Sequence, residues 1–173
     1  MRRVILIIMM ISAVILTSCA QGNTGINGGT CVDGTLSDSP PDLIVTCGDS
    51  SVTALTGGYT WEKNDGGELG KAIIACGLHP LQCHDITPVL KAAKNDTAVL
   101  TFDNTPLPDK LSVTSYGADA WDNIDAHGKA VDLAASAPPE MKLAGKGTIY
   151  VVNAEWTAAD GYGGKVEYSF YIS

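Results

Sequence analysis

The sequence predicts an all-β fold, an antiparallel β-sandwich behind an apolar N-terminal segment and a flexible tether. Three observations carry this. Nine short runs of β-type composition follow one another from residue 42 onward. Turn clusters separate them: GDS at 48–50, NDGG at 64–67, DNTPLPD at 103–109 and DGYGG at 160–164. Nineteen Gly and eight Pro in 173 residues favour many turns over long helices. Many short strands at this spacing build sandwiches.

The runs, in order, are DLIVTC (42–47), SVTAL (51–55), GYTWE (58–62), KAIIAC (71–76), TAVLTF (97–102), KLSVTSY (110–116), KAVDLA (129–134), TIYVVNAEW (148–156) and KVEYSFYI (165–172). The last two alternate most clearly. Tyr150, Val152, Ala154 and Trp156 share one face, and Val166, Tyr168, Phe170 and Ile172 share another. They predict a hairpin with one apolar and one wetter face, the aromatics lying in the core. Thr87-Pro88 before VLKAAKN leaves two readings: a short helix with Pro at its first position, or a strand through Val89 and Leu90.

The first eighteen residues read as an address. Arg2 and Arg3 precede VILIIMMISAVIL at 4–16, thirteen apolar residues, short of the roughly 20 that a bilayer span needs. The run fits the h-region of a secretory signal peptide. It ends in Leu16-Thr17-Ser18-Cys19, which resembles the bacterial lipoprotein box. That resemblance implies lipid attachment at Cys19 and cleavage before it, with anchoring by acyl chains in the membrane at the extracytoplasmic face of the cell envelope. Cleavage removes two Arg and no acid, which takes the formal charge from −8 to −10. A chain so acidic lacks the basic stripe that nucleic acid requires. It is also repelled by anionic lipid, so attachment rests on the anchor. Residues 19–41, rich in Gly, Asn, Ser and Thr with no aromatic, read as the lipidated tether, and 42–173 as the folded domain.

The C-terminal strings GTIYVVNAEW, Tyr162-Gly163-Gly164 and VEYSFYI resemble small lipoproteins of Firmicutes such as clostridia and bacilli, as do Gly58-Tyr59-Thr60-Trp61, His79-Pro80-Leu81 and LTFD at 100–103. The resemblance spans roughly residues 42–173. It implies an immunoglobulin-like β domain and a strand near Val89, and little about activity. Cys76 and Cys83, flanking the His-Pro-Leu segment, depart from that pattern.

With Cys19 assigned to lipid, Cys31, Cys47, Cys76 and Cys83 remain. An even count in an exported chain suggests disulfides, with three possible connectivities. Neighbour pairing, Cys31–Cys47 and Cys76–Cys83, is the expected one, because it explains a cysteine in the tether. The rival for Cys76, His79, Cys83 and His84 is zinc, although adjacent Cys83 and His84 would point to opposite faces of a strand. Asp119, Asp122, Asn123 and Asp125 supply oxygen ligands suited to calcium, at spacings unlike an EF-hand. No cofactor is implied.

The three His, at 79, 84 and 127, stand in no nucleophile–base motif, so a non-catalytic role is expected. GYGG at 161–164 imitates one loop of chagasin-type protease inhibitors, whose other motifs are missing. The expected function is binding or structural. The alternative is a metal-binding envelope lipoprotein, with zinc or calcium. A protein or cell-wall ligand would meet loops at the sandwich ends. YGADAWDNIDAHG at 116–128 is the most unusual of these, with Tyr116 and Trp121 as candidate contacts, joined by Tyr162 in the last turn.

Overall fold

The structure is a computed structural model, and it describes residues 36–64, 72–103, 105–158 and 161–173. Two sheets pack face to face as a β-sandwich. The smaller has five strands in the order β2 (Ser50–Thr53), β1 (Leu43–Cys47), β6 (Thr97–Phe102), β10 (Glu140–Lys142) and β9 (Leu133–Ala134). The larger runs β4 (Ala72–Ala75), β3 (Leu55–Asn64), β12 (Gly161–Ile172), β11 (Thr148–Trp156), β7 (Lys110–Gly117) and β8 (Lys129–Val131). All neighbours on these paths are antiparallel. A two-residue strand, β5 (Val89–Leu90), adds in parallel to the end of β12. The strand reading of Val89 is therefore the correct one, and the helix is not formed.

The core follows from period-2 alternation. Leu43 and Val45 of β1, and Leu100 and Phe102 of β6, face Trp61, Tyr150, Val152, Trp156, Tyr168 and Phe170 of the large sheet. The β11–β12 hairpin pairs Tyr150 with Phe170, Val152 with Tyr168 and Trp156 with Gly164, as the alternation predicts. Tyr150 and Phe170 stack at 5.0 Å, and Phe102 meets Trp156 edge-on at 5.1 Å. The polar tips of the two core tyrosines are satisfied. The Tyr168 hydroxyl donates to the Pro41 carbonyl (2.6 Å), and the Ala144 N–H donates to the Tyr150 hydroxyl (2.6 Å). Burial is also what raises both phenols above the usual tyrosine range.

Four expectations change. Leu36 packs on the core and Ser37 accepts a hydrogen bond on its carbonyl from Trp61 Nε1–H (3.0 Å), so the expected tether is tied to the sandwich from residue 36. The run at 129–134 is two strands in different sheets, β8 and β9, parted by Asp132. Gly161–Gly164 is not a turn but the start of β12, paired with β3 from Asn64 to Trp61. Cys76 and Cys83 do not form the expected bridge. Cys76 is exposed just past β4, whereas Cys83 is buried with its thiol directed at the His79 carbonyl (3.5 Å). Cys47 is likewise a buried thiol, 3.9 Å from Asp96 Oδ2. Its expected partner Cys31, like Cys19 and the signal segment, lies outside the described residues.

Candidate functional site

The outer face of the large sheet divides into a covered half and an open half. Covering begins where the chain leaves β4. Gly77 lies directly on β3 at Gly57 and Gly58; a Cβ on Gly77 would stand 2.8 Å from the Gly58 nitrogen. Position 77 therefore has no room for a side chain at this crossing. The segment then forms a 3₁₀ turn at Pro80–Gln82, capped by His79, whose Nδ1 accepts the Leu81 N–H (3.3 Å). Leu81, fully buried, packs with Ile149 and Ala120, and Tyr116, Trp121, Ala126 and Tyr171 close around them. The Asp122 N–H donates to the Leu81 carbonyl (2.8 Å) and joins the two covering loops. This second small core explains why Ile149 is buried on the face expected to be wet.

That cover accounts for the candidate contact residues. Trp121 is half-buried between the rings of His84 (4.8 Å) and Tyr171 (5.8 Å), and Tyr116 is half-buried beside it. Trp121 is thus a lid, over the outer face rather than over the sandwich core. Tyr162 lies within β12, packed against the main core, with Lys63 Nζ 5.9 Å from its ring centre. Neither Cys76, His79, Cys83 and His84 nor Asp119, Asp122, Asn123 and Asp125 make a metal centre: among the described residues no three His, Cys, Asp or Glu converge on one point. In the second set Asn123 Oδ1 accepts the Asp125 N–H (3.2 Å), a local turn contact.

The open half holds a groove of about 620 Å³. Strand register sets its floor. One row across the sheet is Ile74, Thr60, Lys165, Glu155 and Lys110; the next is Glu167, Asn153 and Ser112. In the first row the charges answer one another. Lys110 Nζ lies 3.0 Å from Glu155 Oε1 and Lys165 Nζ lies 3.8 Å from its Oε2. The hydrogen bond from Lys110 is the main reason that Glu155 sits below the usual carboxylate range.

Glu167 differs. It stands at a β-bulge, where Gly57 and Gly58 of β3 oppose this one residue of β12. Its carboxylate lies against Gly57: a Cβ there would be in ordinary contact with Glu167 Oε2, at 3.6 Å. Among the described residues its carboxylate has no hydrogen bond or ion pair. Burial raises its pKa above the ordinary glutamate value, and the nearby His79 pulls it part of the way back. Sequence reasoning missed this groove, since both rows come from strands distant in the chain. One signal was present: the unbroken apolar run Ile149–Val152 marks a strand covered on both faces at that end only. Comparison with protein-family models, with curated proteins and with solved structures finds no match.

Proposed function

We propose that the chain is a lipid-anchored envelope protein with a non-catalytic binding role, whose recognition surface is the open groove of the large sheet. The groove is the observation that carries this reading. It is wide enough for a segment of a protein or cell-wall partner, and a rigid, fully paired sheet forms its floor. Thr60, Ser112 and Asn153 offer exposed polar groups there, and Ile74 an exposed apolar one at 70% accessibility. The Tyr116–Trp121 loop, by contrast, uses its aromatics to hold the covered half in place. The immunoglobulin-like character implied by the C-terminal strings belongs to the same proposal.

The anchor rests on the charged start, the thirteen-residue apolar run and LTSC. Changing Cys19 to Ala is expected to move the protein out of the detergent phase or leave its signal segment uncleaved, as read by phase partitioning and mass spectrometry. Unchanged partitioning and processing of the mutant would exclude lipidation at this residue. The metal-binding alternative finds no support in the geometry of either ligand set.

A further inference from the structure

We propose that Cys76 is joined to Cys31 by a disulfide, which fixes the chain ahead of Leu36 to the β4 edge of the large sheet. The pairing rests on the envelope location proposed above, because disulfides persist in oxidising compartments. Three observations carry it. The first is access. Among the described cysteines only Cys76 is exposed, whereas Cys47 and Cys83 are 8% and 6% accessible. Burial raises the pKa of both these thiols, and the Asp96 and Glu167 carboxylates respectively add to it, so neither presents a thiolate at neutral pH. With Cys19 assigned to lipid, Cys31 is the remaining partner in the chain. The second is reach. Ser37 is held by Trp61 of β3, whose Nε1–H donates to its carbonyl at 3.0 Å. Trp61 pairs with Ile73 of β4, and Cys76 follows three residues later. At about 5 Å between strands and about 3.4 Å per residue, Cys76 is on the order of 11 Å from Trp61. The six residues from Cys31 to Ser37 extend to about 20 Å, enough to cover that distance and the indole. The third is the edge itself. β4 pairs with β3 on one side and, among the described residues, with no strand on the other. Ile74 is 70% exposed, and Leu78, two residues beyond Cys76, is 63% exposed. An open apolar edge invites pairing between molecules, and a tether held along it removes the opportunity. Val32, next to Cys31, supplies an apolar side chain at that point.

The bridge forms by thiol–disulfide exchange with a disulfide oxidant of the envelope. The Cys76 thiolate attacks one sulfur of the oxidant, forms a mixed disulfide and expels one thiolate. The Cys31 thiolate then attacks the Cys76 sulfur, the new S–S bond forms, and the second oxidant thiolate leaves. The oxidant is reduced to two thiols, which take up the two protons given by Cys76 and Cys31.

The test has two arms. In the first, cells making the full-length protein are treated with iodoacetamide before lysis, and the protein is digested with chymotrypsin without reduction. Cleavage after Leu36, Leu55, Leu78 and Leu81 separates Cys31, Cys47, Cys76 and Cys83, so the mass of a linked peptide names its pair. A Cys31–Cys76 peptide is expected, with Cys47 and Cys83 as thiols that react only after denaturation. Cys31→Ser should restore the alkylation of Cys76 that wild type loses. Linkage of Cys31 to Cys47, of Cys76 to Cys83, or of Cys76 to a second copy overturns the proposal. In the second arm, purified full-length protein is reduced in detergent and reoxidised with oxidised glutathione. Wild type should gain the same Cys31–Cys76 link, whereas Cys31→Ser should end with glutathione on Cys76. Wild type that ends with glutathione on both Cys31 and Cys76 overturns the pairing. A link that forms here but is absent from cells supports the pairing and contradicts the envelope location.

Discussion

Trp156→Ala is expected to lower the unfolding free energy by about 4 kcal/mol. The indole is 3% exposed at the end of β11 and has two aromatic neighbours edge-on, Phe102 at 5.1 Å and Trp61 at 5.7 Å. Truncation removes those contacts and leaves a cavity that rigid sheets on both sides are slow to fill. It also orphans the Pro106 carbonyl, which accepts Trp156 Nε1–H at 3.0 Å and ties the β6–β7 connection to the core. Denaturant unfolding checks this. A loss below about 1 kcal/mol, the range typical of surface changes, would place the residue outside the core and invert the face assignment of β11.

Gly164→Ala is expected to cost about 3 kcal/mol, from two causes that add. The residue has φ of +147°, which L side chains rarely adopt. A Cβ there would also overlap the Thr60 carbonyl oxygen and stand 2.9 Å from its carbon and 3.1 Å from Trp61 Cα. These are backbone atoms of β3, so no rotamer change relieves the crowding; β3 and β12 would have to part. Gly48→Ala separates the two causes. Its φ is +55° with nothing within 4 Å, so only backbone strain of about 1 kcal/mol remains. Equal losses for the two variants in parallel denaturant titrations would show that the β3–β12 approach is looser than described.

Much of the fold was legible because a strand states its own face. Tyr150, Val152, Ala154 and Trp156 alternate, and they are all in the core. What alternation does not state is the sheet to which a strand belongs. The run 129–134 reads as one strand, yet Lys129–Val131 pairs with β7 and Leu133–Ala134 with β10, a choice made by partners far along the chain. β10 escaped notice for a related reason: three residues after two prolines carry little local signal. The site was less legible. Exposed aromatics in a polar loop suggested contacts, but Trp121 is drawn down by Leu81 and Ile149, forty and twenty-eight residues away. Glu167 looked like an ordinary outward residue. Its distinct setting comes from a bulge opposite Gly57–Gly58, and a bulge is a mismatch in pairing that one strand's sequence does not encode.

The central claim is that recognition takes place in the groove. Its most direct test is photo-cross-linking in intact cells, with benzoylphenylalanine placed at Asn153 or at Thr101 of the full-length protein. Asn153 lies exposed within the groove, and Thr101 lies exposed on the small sheet. Irradiation should give discrete adducts from position 153 and none from position 101, and the 153 adducts should vanish when Ser112→Trp fills the groove. Adducts from position 101 alone, or adducts from 153 that survive a filled groove, would contradict the assignment of this surface.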